Sequence, residues 1–139
     1  MKILESIDKF AKTERIAVRC LDKELTYKQL KDYSDKIATY LLEEFKDDKT
    51  PIVIYGNKEN EILPIMMGAL KSGRAYVPLD ISFPEDRISQ IIGEVNPKII
   101  FNCTDNSIDS NNKIKLNAKN KSRVLNFMQE LIICKVYLN

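Results

Sequence analysis

Four charged side chains near the middle of the chain have residue types and spacing that could do chemistry. Asp80, Glu85, Asp86 and Arg87 follow the apolar segment Ala75 to Leu79. In α/β proteins the carboxyl ends of parallel strands often line a ligand crevice, so a carboxylate or a cation there could contact a ligand. The interpretation we favour is that these residues cap the next helix and form a surface ion pair.

Two further groups of residues could bind a partner. Lysines recur from Lys113 to Lys121 and could contact an acidic partner, although a solvated basic loop is the commoner role of such a segment. Tyr27, Tyr33 and Tyr40 fall on one predicted helix, where core and boundary packing is commoner than stacking on a ligand. From the residues alone we assign no catalytic, cofactor-binding or metal-binding position.

The composition excludes several classes of site. The 139 residues include no histidine, which excludes a Ser-His-Asp or Cys-His nucleophile and a histidine-ligated zinc or haem iron within this sequence. Cys20, Cys103 and Cys134 are too widely spaced for a metal pattern, and we expect reduced, mostly buried thiols. The four glycines form neither GxGxxG nor a Walker-type phosphate loop.

Charge and hydropathy restrict the partners and the compartment. A net charge of +2 gives no electrostatic reason to bind nucleic acid or anionic lipid. Charged residues interrupt the N-terminal segment as they would not in a signal peptide, and no apolar run approaches the ~20 residues of a membrane span. We therefore expect a cytoplasmic protein that contacts neither nucleic acid nor membrane.

The first 45 residues predict a helix, a short strand and a second helix. Apolar residues from Ile3 to Ala11 recur at helical spacing, and Ile16 to Cys20 predicts a strand followed by a turn at Leu21 to Glu24. Thr26 and Gln29 form a capping box that starts the second helix, with Leu25 and Leu30 as its hydrophobic staple. The predicted core face of this helix, which ends near Phe45, comprises Tyr27, Leu30, Tyr33 or Ser34, Ile37, Leu41 and Phe45.

Residues 52 to 102 predict strands that alternate with helices. Ile52 to Tyr55 is continuously apolar, as a strand covered on both faces is. The segments Asn60 to Ser72, ended by Gly73, and Pro84 to Val95, capped by Ser82 with Glu85, predict helices. Ala75 to Leu79 predicts a second buried strand and Lys98 to Asn102 a third. The fold class should be α/β, with a parallel sheet of at least three strands and flanking helices.

The composition changes near Cys103. Eight of the 38 residues from Asn102 onward are asparagine, against three in the preceding 101. Residues 105–120 show almost no periodicity and predict a loop or disorder. Residues 124–138 are apolar again, and their pattern fits a helix or a strand.

Two stretches resemble the early signature motifs of the adenylate-forming (AMP-forming) ligases. Leu25 to Leu30, LTYKQL, resembles the family's LTYxEL, and Leu70 to Asp80, LKSGRAYVPLD, resembles the family's LKAGxAYVPLD at nearly every position. Phe83 to Ile88, FPEDRI, continues the second match. The resemblance covers roughly residues 1–103 and implies an incomplete part of the N-terminal domain of such a ligase.

The resemblance also implies an activity for the complete enzyme. The segments PIVIYG at 51–56 and DISFPEDRI at 80–88 are more similar to the D-alanine-activating enzymes of the family than to peptide-synthetase modules. Such an enzyme forms an acyl-adenylate from D-alanine and ATP with Mg²⁺. It then transfers the acyl group to the phosphopantetheine thiol of a D-alanyl carrier protein, for D-alanylation of teichoic acids.

The sequence departs from the family after about residue 103. The family's glycine- and Ser/Thr-rich phosphate loop, its later motifs and the lysine of its C-terminal domain have no match here. We therefore expect residues 1–103 to be the family portion and residues 104–139 an atypical tail, out of frame or rearranged, in a truncated chain. We expect this chain alone to bind no ATP, Mg²⁺ or other cofactor and to be inactive. Two alternatives stay open, a non-catalytic module that pairs through an exposed sheet edge and a fragment of a peptide-synthetase adenylation module.

Overall fold

Helices and strands alternate along the chain, and the computed structural model describes residues 1–104, 106–108 and 114–116. The order of elements confirms the predicted α/β class. In chain order the elements are α1 (Lys2–Phe10), β1 (Ile16–Cys20), β2 (Lys23–Thr26), α2 (Tyr27–Phe45), β3 (Ile52–Gly56), α3 (Ile62–Lys71), β4 (Tyr76–Asp80), α4 (Glu85–Val95), β5 (Ile100–Asn102), β6 (Asn106–Ile108) and β7 (Ile114–Leu116).

A parallel sheet in the order β4-β3-β5 forms the centre of the described residues. Ile54 of β3 pairs with Pro78 of β4 on one side and with Phe101 of β5 on the other. All five residues of β3 are buried because helices cover both faces of the sheet. Ile54 packs in a cluster with α2 and α3, whereas Tyr55 packs in a cluster with α4. The prediction of a central strand covered on both faces is confirmed.

The start of α2 is fixed by local contacts that the sequence predicts. The Thr26 backbone N–H donates to Gln29 Oε1 at 2.9 Å, and the Gln29 N–H donates to Thr26 Oγ1 at 3.2 Å, which completes the capping box. Leu25 and Leu30, on either side of the cap, share one buried cluster with Ile7 of α1. The cap and the apolar contact together set the angle at which the chain enters α2.

The buried face of α2 is wider than predicted. Ser34 is fully buried and Tyr33 only partly, which decides between the two. Ala38 and Tyr40 are also buried, and neither is in the predicted face. The reason is that α2 contacts α3 as well as the sheet. The two helices approach so closely that a Cβ at Gly68 would lie 3.1 Å from the Ser34 carbonyl oxygen.

The end of α3 confirms the predicted role of Gly73. Gly73 has φ +75°, a left-handed conformation that glycine adopts without a Cβ penalty. The Arg74 N–H donates to the Ala69 carbonyl at 2.9 Å, and the Gly73 N–H donates to the Leu70 carbonyl at 3.0 Å. These two bonds form a Schellman motif, which turns the chain from α3 toward β4.

The predicted turn from Leu21 to Glu24 is wrong, because the chain reverses over fewer residues. Lys23–Thr26 is a strand that pairs antiparallel with β1. Leu21, with φ +55°, lies in the tight turn, and an ion pair joins Arg19 to Glu24 across the strands at 2.6 Å. The short strand escapes detection because Lys23 and Glu24 show no apolar alternation.

Strand β4 is not the buried strand that its sequence predicts. Leu79 is buried, but Tyr76 and Val77 are only half-buried and Pro78 is exposed. The strand lies at the edge of the sheet, so one of its long sides has no neighbouring strand among the described residues.

Part of the chain after residue 104 also differs from expectation. Within residues 105–120, predicted as a loop or disorder, Ile108 of β6 pairs antiparallel with Ile114 of β7. Strands of three residues are too short to show a period of two, which explains why the pattern hides them. The prediction for residues 124–138, and that for Cys134, lie outside the described residues. In the part of the chain that the structure describes, no helix has the length and apolar character to cross a bilayer.

Candidate functional site

The carboxyl ends of the parallel strands form the place where α/β folds usually bind ligands. Strand β3 ends at Gly56, which pairs in register with Asp80 at the end of β4. On the other side, Tyr55 pairs with Asn102 at the end of β5. The fold therefore brings three strand ends together at this edge, which we call the carboxyl edge.

Asp80 is the one sequence-predicted candidate that lies at the carboxyl edge. Its Oδ1 accepts a hydrogen bond from the Ser82 N–H at 2.8 Å. Hydrogen bonds from the Ser82 backbone and side chain, with a smaller contribution from the charge of Lys58, hold the pKa of Asp80 below its ordinary value. The carboxylate is thus ionised at neutral pH and bonded to its own loop.

The other three candidates lie on the first turn of α4, away from Asp80. Glu85, Asp86 and Arg87 are exposed, and the two carboxylates are favourable near a helix N-terminus. The predicted cap by Ser82 with Glu85 is wrong, because α4 starts after Pro84 without a side-chain cap. Pro84 fixes the backbone for a helix start, and the Ser82 amide is already bonded to Asp80. Arg87 forms no ion pair with a described residue, so the predicted surface pair is not found there.

Glu59 is a carboxyl-edge residue that sequence reasoning missed. Its Oε2 accepts a hydrogen bond from the Asn57 N–H at 2.6 Å. The same oxygen lies 2.8 Å from where a Cβ on Gly56 would stand, so only glycine at position 56 allows this approach. A carboxylate two residues after an Asn can bond its backbone in a turn, but nothing in the periodicity indicates it.

Asn102 and Thr104, at the end of β5, were also missed. Asn102 Oδ1 accepts hydrogen bonds from the Thr104 N–H at 2.9 Å and from Thr104 Oγ1 at 2.7 Å. Both residues are buried, so these bonds satisfy polar groups inside the protein. The signal that could have found them is the Asn-x-Thr spacing after an apolar strand, which is typical of an Asx turn.

The carboxyl edge does not fit a nucleotide phosphate. Phosphate sites on α/β folds use backbone N–H groups that point at the anion. Here the N–H groups of Asn57 and Ser82 donate to the carboxylates of Glu59 and Asp80 instead. Those two negative charges would repel a triphosphate. Among the described residues, no group of three or more His, Cys, Asp or Glu is arranged to hold a metal ion such as Mg²⁺.

An open cavity of about 350 Å³ lies between the β1–β2 turn and the loop after β3. Its walls include Leu21, which is 94% exposed, and Ile81, which is 44% exposed. Lys58 and Glu61 line it with opposite charges. Polar groups do not converge on one point, as they do in a site for a specific small ligand.

The segment from Leu70 to Asp80 has a clear structural role. Arg74 is almost fully buried, and its guanidinium donates to the carbonyls of Leu41 and Asp48 at the end of α2. In the opposite direction, Lys49 Nζ donates at 2.9 Å to the carbonyl of Ser72 at the end of α3. Each helix end therefore receives a cation from the loop that follows the other helix, as the helix dipole favours.

Comparison with known proteins decides the family. The chain matches the AMP-binding enzyme family over residues 7–132. The chain belongs to the AMP-binding enzyme family. The resemblance seen in its two signature stretches is thereby confirmed.

Among similar proteins are several with one name. The D-alanine--D-alanyl carrier protein ligase of Staphylococcus haemolyticus is 42% identical over 112 residues, which are 79% of this chain and 22% of that protein. The ligase of the same name from Bacillus cereus strain B4264 is 38% identical over 106 residues, 75% of this chain and 21% of that protein. The chain thus spans about a fifth of the length of these curated relatives.

Solved structures confirm the fold. The Klebsiella oxytoca NpsA N-terminal subdomain, in complex with 3-hydroxyanthranilyl-AMSN, superposes with a TM-score of 0.66 at 17% identity. That match covers 96% of this chain and 31% of that one. VinN superposes with a TM-score of 0.62 at 19% identity, covering 71% of this chain and 26% of that one. The family match continues past residue 103, and the domain boundary placed there stays a prediction.

Proposed function

We propose that this chain supplies the N-terminal scaffold of a cytoplasmic ligase that activates D-alanine. The complete ligase forms D-alanyl-adenylate from D-alanine and ATP and transfers the D-alanyl group to the phosphopantetheine thiol of a carrier protein, for D-alanylation of teichoic acids. The supporting observation is the 42% identity over 112 residues to the Staphylococcus haemolyticus ligase. That aligned length includes most of the described helices and strands.

The role of this chain in such a ligase is to position other parts, and we propose that alone it does not form the adenylate. The last glycine in the sequence is Gly93, so no glycine-rich phosphate loop follows the described strands. The strand-end N–H groups of Asn57 and Ser82 are bonded within the chain. ATP and Mg²⁺ would then be held by parts of the ligase that these 139 residues do not include.

A chimera tests the scaffold role. The segment of the Staphylococcus haemolyticus ligase that matches residues 1–104 is replaced by residues 1–104 of this chain. D-alanine-dependent exchange of pyrophosphate into ATP is then measured. We expect exchange within about tenfold of the parent ligase, because a compatible scaffold leaves the reacting groups in place. A soluble, folded chimera without exchange would contradict the proposal.

Two controls separate the alternatives. The 139-residue chain alone should give no D-alanine-dependent exchange, and robust exchange would show that its own residues do the chemistry. The same segment grafted into a peptide-synthetase adenylation domain should give less activity than in the D-alanine ligase. Higher activity in the peptide-synthetase host would favour that alternative. The non-catalytic interaction module, which would self-associate, stays a prediction that the oligomeric state of the purified chain tests.

A further inference from the structure

The two outer edges of the β4-β3-β5 sheet differ in exposure. On β5 all three residues are buried, whereas on β4 Pro78 is exposed and Tyr76 and Val77 are half-buried. An open edge presents unpaired backbone N–H and C=O groups, with which an extended segment of another molecule can pair. Of these two edges, β4 is therefore the one that a second copy of the chain could reach.

The register of the sheet shows which groups of β4 point outward. The Ile52 N–H donates to the Ala75 carbonyl at 3.1 Å, and Ile52 is in register with Tyr76. In a parallel ladder the residues that bond a given neighbour alternate along the strand. Residues 75, 77 and 79 therefore direct their backbone groups toward β3. Residues 76, 78 and 80 direct theirs to the open side.

Proline occupies the middle of the three outward positions. Pro78 has no N–H, so an added strand would find no donor at the centre of the edge. At the end of the edge, the Asp80 carbonyl already accepts a hydrogen bond from the Phe83 N–H at 3.1 Å. A partner strand would thus leave a carbonyl of its own unpaired opposite Pro78, which is costly once water is excluded.

We propose that Pro78 closes the β4 edge against pairing with an extended segment of a second copy of this chain. The proline lies where it removes an outward donor and costs no hydrogen bond inside the sheet. This placement gives position 78 of the segment LKSGRAYVPLD a physical role that is separate from the turn and capping roles of its other residues. The inference holds whether or not the proposed ligase function is correct.

The test compares two single variants of the 139-residue chain. Pro78→Thr restores an outward N–H and adds no apolar surface, so stronger association cannot come from hydrophobicity. Val77→Ile is the control, because it adds apolar bulk to the same strand without adding an outward donor. Association is followed by analytical ultracentrifugation over a range of concentrations. We expect Pro78→Thr to self-associate at least about tenfold more tightly than the wild type, and Val77→Ile to match the wild type.

A Pro78→Thr variant that folds and associates no more tightly than the wild type would overturn the proposal. Hydrogen exchange of the wild-type backbone amides decides the matter if that variant does not fold. We expect the outward amide of Tyr76 to exchange rapidly and the amides of Val77 and Leu79, which face β3, to be protected. Equal protection at all three positions would mean that β4 is already paired on its outer side, and the proposal would be wrong.

Discussion

Arg74 ties the end of α2 to the loop after α3, and its removal tests how the signature segment Leu70 to Asp80 stabilises the fold. The side chain is 3% exposed, and its Nη1 donates to the Leu41 carbonyl at 3.3 Å. Its Nη2 donates to the Asp48 carbonyl, and its guanidinium carbon lies 5.4 Å from the centre of the Phe45 ring. The last turn of α2 has no basic residue of its own, so Arg74 provides the positive charge that the helix dipole favours.

The perturbation that isolates the guanidinium is Arg74→Met, because methionine keeps most of the aliphatic stem. Burial lowers the pKa of Arg74, with the charge of Asp48 acting in the opposite direction, yet the guanidinium stays charged at neutral pH. A hydrogen bond from a charged group contributes about 1.5–3 kcal/mol, and the contact with an aromatic ring about 1 kcal/mol. Part of this gain offsets the cost of burying the charge. We expect a net loss of about 2–3 kcal/mol in the free energy of unfolding.

Urea denaturation followed by circular dichroism measures the loss. For a domain of this size the expected loss lowers the midpoint by about 1–2 M urea. Arg74→Lys should lose about half as much, since one ammonium group cannot reach both carbonyls in the guanidinium geometry. Arg87→Met removes an exposed arginine as the control and should change stability by less than about 0.5 kcal/mol. An Arg74→Met midpoint equal to that of Arg87→Met would refute the assignment of Arg74 as the cation that stabilises the end of α2.

Three further predictions concern the helices. Leu30→Ala, at a fully buried staple position, should lose about 2–5 kcal/mol of stability, whereas exposed Lys28→Ala should stay within about 0.5 kcal/mol; equal urea midpoints would mean that the helix face is misassigned. A Cβ at Gly68 would lie 2.6 Å from Ile37 Cγ2, so Gly68→Ala should lose about 1–3 kcal/mol, whereas Gly93→Ala, with open space around it, should gain about 0.5–1 kcal/mol in the same denaturation assay. Burial would raise the pKa of Asp35, but hydrogen bonds from two lysines outweigh it and lower the pKa, so wild-type stability should fall as pH drops through and below about 4, and less steeply in Asp35→Asn, when unfolding is followed from pH 7 to pH 2. At neutral pH the Asp35 effect should stay below about 1 kcal/mol, because the carboxylate is 45% exposed.

Elements whose signals are local were predictable from the sequence. The capping box of Thr26 and Gln29 involves residues three apart, and the helix start falls where they place it. Gly73 terminates α3 through contacts with the preceding turn. The continuous apolar run of β3 follows from burial on both faces. In each case the information lies within one helical turn or one strand.

What the sequence could not predict depends on contacts between distant parts of the chain. Arg74 bonds the Leu41 carbonyl from 33 residues away. Lys71 Nζ reaches Asp35 at 2.6 Å and Ser34 at 2.9 Å, across the interface of α2 and α3. No spacing pattern connects these residues. The same holds for β4, where an apolar run predicts a buried strand but the sheet order puts the strand at an edge.

The residues that carry the family signature hold the scaffold together and do not themselves form a reactive site. Leu25 and Leu30, from the first stretch, are buried with residues of α1 and α3. In the second stretch, Lys71 bonds α2, Gly73 turns the chain and Arg74 stabilises the end of α2. Such contacts keep two helices and a sheet at fixed positions, which the reacting groups of a ligase need because small displacements are costly in rate. A scaffold role accounts for a strong family signature in a chain whose described residues converge on no catalytic group.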